Sequence, residues 1–98
     1  DYPTELLKWK KDNSIEEAKP RLDKLLKILS ETEFNSPDVI KNSIWDYAEN
    51  EGRGEVLWPM RVALSGREKS PDPFVCAYIL DKDETLLRIK KACDKIGV

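Results

Sequence analysis

The chain has 98 residues, 37% charged and 40% hydrophobic, and a formal net charge of −2. That is ordinary for one small soluble domain, and the near-balance of charge leaves no global field to draw in a polyanion, so contact with one needs a local patch. Histidine is absent and there are two cysteines, which excludes a histidine–metal site and is too few thiols for a structural zinc; no apolar run approaches the ~20 residues of a membrane span.

The opening Asp1-Tyr2-Pro3 carries neither an initiator methionine nor a signal peptide and suggests a fragment of a longer protein. Pro3 suits the first turn of a short helix running to Lys11, with Tyr2, Leu6 and Trp9 near one face. Asp12-Asn13 breaks it, and Ser14 with Glu17 three residues on reads as a capping box. Ile15, Ala18, Leu22, Leu25 and Leu29 then alternate at three and four residues, the stripe of an amphipathic helix. Pro20 inside it predicts a kink between Glu16 and Pro20, or a helix that starts afresh at Pro20. Lys19, Lys24 and Lys27 form a wet face of that helix.

Ser36-Pro37-Asp38 is the next start signal, followed by a stripe of Ile40, Ile44, Tyr47 and Ala48 with Trp45 at its edge. Gly52-Arg53-Gly54 reads as a turn. A short apolar helix follows, with Pro59 in its first turn, Met60, Ala63 and Leu64 on one face, and Gly66 as a left-handed stop. Arg61 lies about 100° round from Met60, off the apolar stripe. Asp72-Pro73 starts the next helix, and Pro73 to Leu80 is apolar nearly all round, which predicts a buried helix, with a strand as the rival. Asp81-Lys82-Asp83-Glu84 offers another cap, before Leu86, Ile89, Cys93 and Ile96 lead to Gly97. Lys90, Lys91 and Lys95 sit in its C-terminal half, where the helix dipole favours cations. Cys76 and Cys93 lie among apolar residues, as buried reduced thiols of a cytosolic protein do. The expected fold is all-α: a compact bundle or cage of about six short helices forming one domain over residues 1–98.

No nucleophile stands with a base at a recognisable spacing, and no glycine-rich phosphate loop is present. Binding is the better-founded reading. Arg61, on a short rigid helix beside a loop, can present its planar fork to a planar polar partner; pairing with Glu55 or Glu68 is the plain alternative. The Ser70 hydroxyl and the backbone from Lys69 to Pro73 offer hydrogen-bonding groups to a polar partner, and Pro71, Pro73 and Phe74 offer flat apolar surface, although Phe74 suits a core better. Arg67 and Lys69 are the natural phosphate contacts. Trp9, Trp45 and Trp58 read as core or domain-junction anchors. With a nearly neutral charge, these tryptophans also suit a helical protein–protein docking module.

One stretch carries a family resemblance. Pro59-Met60-Arg61-Val62-Ala63-Leu64-Ser65-Gly66, then Ser70-Pro71-Asp72-Pro73-Phe74, resembles the Pro-Leu-Arg-Val-Ala-Leu-Thr-Gly, loop, Ser/Thr-Pro and phenylalanine signature of the C-terminal helical region of bacterial-type glutamyl-tRNA synthetases. Leu6 to Lys11 and Ile79 to Leu86 resemble the flanking segments, with Asp81 where that family usually has glycine. The resemblance covers nearly the whole chain. It implies an anticodon-binding domain in which Arg61, Ser70, Pro71, Pro73 and Phe74 surround the last two anticodon bases. It also implies a parent ligase that joins glutamate to tRNA(Glu) with ATP and Mg2+ in a separate catalytic domain, this region holding no cofactor and no catalytic residue. The partners implied are the tRNA(Glu) anticodon loop and the remaining synthetase domains, in a cytoplasmic monomer. Pro73 and Asp72 depart from the signature of some members.

Overall fold

The computed structural model describes residues 2–67 and 72–97, and the local start signals set most of its helices. Ser14 and Glu17 form the expected reciprocal capping box, with the Ser14 N–H donating to Glu17 Oε2 at 2.9 Å. It closes a 3₁₀ turn, Ile15–Glu17, which runs directly into α1, Ala18–Ser30. Pro20 therefore falls in the first turn of the α-helix, where its missing N–H has no partner to lose. The helix thus starts two residues before the restart expected at Pro20, and Leu22, Leu25 and Leu29 are buried behind it. α2, Pro37–Glu51, starts on Ser36, whose hydroxyl accepts from the Val39 N–H at 3.2 Å, and buries Ile40, Ile44 and Ala48.

The next segment departs from the expected turn. Gly52, at φ 126°, ends α2, and α3, Arg53–Ser65, begins at the following residue. Gly54 is helical, and a Cβ there would overlap the Trp9 ring. Pro59 consequently sits in the helix interior, not in its first turn, and is buried. Its ring leaves the Glu55 carbonyl without the usual i+4 donor, a defect of roughly 3 kcal/mol in an isolated helix. Burial of Val56, Met60, Val62, Ala63 and Leu64 on the same helix is the compensating force.

α4, Pro73–Ile96, starts as read: the Asp72 carboxylate accepts from the Phe74 N–H at 2.7 Å with Pro73 at the first position. It joins the two helices expected on either side of Asp81, which takes φ 71° and ψ 170° inside it. Thr85 is fully buried, and its hydroxyl donates to the Ala77 carbonyl at 3.1 Å, tying the two sides of the break together. The first half of α4 is not buried all round: Phe74 and Ala77 face the core, while Val75 (36%), Tyr78 (45%) and Ile79 (74%) are exposed.

Among the described residues there are four α-helices, not about six, and no strand. The difference lies at two places. The first expected helix is a 3₁₀ turn, Thr4–Leu7, and the last two are counted together as α4, although the non-helical Asp81 divides it where the second of them was expected to start. α4 packs on α1, α2 and α3, in a molecule of 34 × 29 × 24 Å. No helix is long and apolar enough to cross a membrane.

Candidate nucleic-acid interface

The C-terminal end of α3 is held from two sides. Gly66, at φ 72°, caps it in the left-handed conformation, its N–H reaching the Val62 carbonyl at 2.7 Å. The Ser65 hydroxyl donates to the Arg61 carbonyl at 2.8 Å and accepts from the Arg67 N–H at 3.1 Å. From α4, Arg88 donates to the Leu64 carbonyl at 2.6 Å and pairs with Glu84 at 2.8 Å. A cation on the last carbonyls of a helix meets its negative pole. Arg88 thus fixes α4 against the point where α3 turns into its loop.

Arg61 lies in the middle of this frame. It is half-buried and forms no ion pair or side-chain hydrogen bond with any described residue. In the first turn of α4, burial and the Asp72 carboxylate hold the Cys76 thiol above its ordinary value, with the Arg61 and Arg88 charges opposing them more weakly. Arg61 lines a groove of about 730 Å³ with Lys8, Trp9, Lys10, Arg53 and Trp58. The Trp58 indole N–H donates to the Leu6 carbonyl at 2.8 Å, which pins the ring. Trp9 stands against it with centroids 5.7 Å apart and the planes inclined by 52°. The Trp9 N–H is buried and has no acceptor among the described residues.

A second groove runs between the end of α3 and the C-terminal half of α4, past Tyr2, Arg67, Arg88, Lys91 and Lys95. Lys95 closes one end, donating to the Tyr2 carbonyl at 3.2 Å with its ammonium 4.8 Å from the Tyr2 ring centre. Neither thiol forms a disulfide. Burial and the Asp23 carboxylate, 3.4 Å away, push the Cys93 thiol up to about 12, so it stays protonated and inert.

A family model described as anticodon binding domain matches residues 1–93. The chain belongs to the anticodon binding domain family. The curated relatives of this domain include proteins named glutamate–tRNA ligase. That of Clostridium acetobutylicum ATCC 824 is 36% identical over 100 residues, covering 98% of this chain and 21% of the relative. Those of Clostridium botulinum Eklund 17B and Clostridium tetani E88 are each 34% identical, covering 96% and 97% of this chain and 21% and 19% of the relatives. The chain thus spans about a fifth of the length of these curated relatives. No solved structure gives a significant match. The docking-module reading finds no support among these matches.

Within this anticodon binding domain, the residues singled out from sequence divide into three groups. Arg61 and Arg67 face outward on either side of the α3 terminus, half-buried and exposed respectively. Lys69, Ser70 and Pro71, with Glu68, lie outside the described residues. Pro73 and Phe74 are buried, Phe74 at 4% exposure with its ring edge-on to Trp45 at 6.4 Å. In this conformation they anchor the start of α4, and Phe74 has no face to give a ligand. The groove beside Arg61 was not legible as a site. Trp9, Trp58, Lys8 and Lys10 come from segments more than forty residues from Arg61 or lie behind it on α3, and only the fold brings them together. Arg88 carries no sequence signal beyond that of a surface helix cation.

Proposed function

We propose that this chain recognises the anticodon loop of tRNA(Glu) as the anticodon-reading part of a glutamate–tRNA ligase. Family membership and the names of the relatives support the class of partner. The observation that carries the role of a particular residue is Arg61: a guanidinium on a rigid helix, with no ion pair or side-chain hydrogen bond among the described residues, lining a cation-rich groove.

In this reading Arg61 gives a forked pair of bonds to one splayed base, or stacks on it. Ser70 and Pro71 are assigned to the same base by the family resemblance, and Arg67 and Lys69 to phosphates. Pro73 and Phe74 act from beneath, by holding the end of the loop to the core. No bond is made or broken here. ATP, Mg2+ and glutamate belong to other domains of the ligase, a cytoplasmic monomer in this proposal. The chain supplies binding energy that the distant reaction exploits when the anticodon fits.

The test compares tRNA(Glu) binding by the ligase containing this chain, wild type against Arg61→Ala. Removal of a base-edge contact should weaken binding by ~1–3 kcal/mol. The loss should fall on one anticodon position. Unchanged affinity and unchanged charging would refute the role of Arg61.

A further inference from the structure

We propose that the groove walled by Trp9 and Trp58 is a nucleotide-binding subsite, one that takes an unpaired base of the anticodon loop next to the base read by Arg61. The inference rests on the anticodon-binding reading and names a surface that reading does not include.

The first argument is charge. The chain carries a net −2, yet this groove is lined by Lys8, Lys10, Arg53 and Arg61 against a single carboxylate, Glu5. A local excess of cations on an acidic chain is the patch that a phosphodiester needs. Arg53 is partly committed, lying 5.6 Å from the Trp45 ring and 3.7 Å from Glu49. Among the described residues the Lys8 ammonium makes one long hydrogen bond, 3.5 Å to the Trp9 carbonyl. Lys10 rests on the Trp9 ring, its ammonium 5.4 Å from the centre.

The second argument is the apolar wall. Two half-buried indoles set at 52° form a corner, and the bond from Trp58 to Leu6 keeps that corner in place before any ligand arrives. Aromatic platforms beside cations are the sequence-tolerant means of holding single-stranded nucleic acid. A base entering the corner displaces Lys10 from the Trp9 ring. The exchange is favourable, because an exposed cation–π contact is weaker than base-on-indole stacking and the released ammonium gains a phosphate. The third argument is continuity. Arg61 itself lines the groove, so the base that it reads and a base on the indole corner share one surface.

The probe is an RNA hairpin carrying the tRNA(Glu) anticodon loop, titrated against the chain while tryptophan emission is followed. The expected result is quenching that persists in Trp45→Phe and is reduced in Trp9→Phe and Trp58→Phe, with thermal unfolding confirming that each variant folds. The surface pair Lys8→Gln/Lys10→Gln should bind about tenfold more weakly and lower the slope of log affinity against log salt by about 1.4, or ~0.7 per phosphate. If the hairpin binds and Arg61→Ala weakens it, but the lysine pair is neutral and quenching is absent, the subsite is refuted and the anticodon reading stands. If no hairpin binds, both fail. If RNA leaves the emission unchanged, yet the emission shifts to the blue when the chain is joined to the rest of the ligase, the groove is a domain junction and the proposal is overturned.

Discussion

Replacing Arg21 by methionine should cost this domain a large share of its stability, through a junction far from any ligand. Arg21, in the first turns of α1, donates to Asp12 Oδ2 at 2.7 Å and to Glu51 Oε2 at 3.3 Å. The Asp12 side chain is only 5% exposed and that of Arg21 12%. Three pieces of chain meet there: the turn after Thr4–Leu7, α1, and the last residue of α2. Methionine keeps most of the stem but leaves the Asp12 carboxylate buried without its partner. Breaking a fully buried pair from one side costs ~3–5 kcal/mol. The outer partner here, Glu51, is 43% exposed, so the lower end, about 3 kcal/mol, is the appropriate figure. Stability for such a domain totals roughly 5–15 kcal/mol, and each kcal/mol moves the midpoint by about 4–8 °C at this size. Thermal and urea unfolding of Arg21→Met should therefore show a fall of more than 10 °C, while Asp12→Asn combined with Arg21→Met should recover part of it. A change within about 0.5 kcal/mol, the range of an ordinary surface substitution, would refute the reasoning. Because the Asp12 N–H also bonds the Trp9 carbonyl at 2.9 Å, the variant should loosen the Trp9 wall as well, and its tryptophan emission should shift to the red below the unfolding transition.

Three further outcomes follow from the same structure. Thr85→Val keeps the shape of a fully buried side chain but removes its hydrogen bond to the Ala77 carbonyl; it should cost ~0.5–1.5 kcal/mol in denaturant unfolding. Asp81→Gly relieves a side chain held at φ 71° and should stabilise by roughly 1 kcal/mol, less the loss of the 2.9 Å bond from the Lys82 N–H; a destabilised variant would show that this bond outweighs the strain. The Glu17 carboxyl is held below its usual value by N–H bonds from Ser14 and Asn13. A depressed carboxylate stabilises the fold fully above its unfolded pKa and loses that contribution as pH falls through the folded value. Glu17→Gln should thus flatten the fall in stability with acid below the ordinary carboxylate pKa of about 4.3, with little change in slope at neutral pH.

What the sequence made legible was local. Ser14 with Glu17, Ser36-Pro37, Gly66, Asp72-Pro73 and Gly97 each act within four residues of themselves, and each helix terminus they announce is present. Arg61 stood out for the same reason, as a charge off the stripe of its own helix. Pro59 was misplaced because a proline near a glycine pair suggests a helix start, whereas here burial of the α3 face carries the helix through it. Val75, Tyr78 and Ile79 looked internal because an unbroken apolar run has no period to show which side faces water. The ion pairs of Arg21 span 9 and 30 residues, and the contact between Trp9 and Gly54 is longer still; such juxtapositions arise only when the helices have packed. The cation-lined groove beside Arg61 belongs to this last class.

The central claim is that Arg61 reads a base, and a thermodynamic cycle tests it most directly. Affinity of the ligase would be measured for tRNA(Glu) and for transcripts altered at one anticodon position, with wild-type protein and with Arg61→Ala. The account predicts that at one position the two losses, each of ~1–3 kcal/mol, fail to add, because both remove the same contact. Strict additivity at every anticodon position would contradict it.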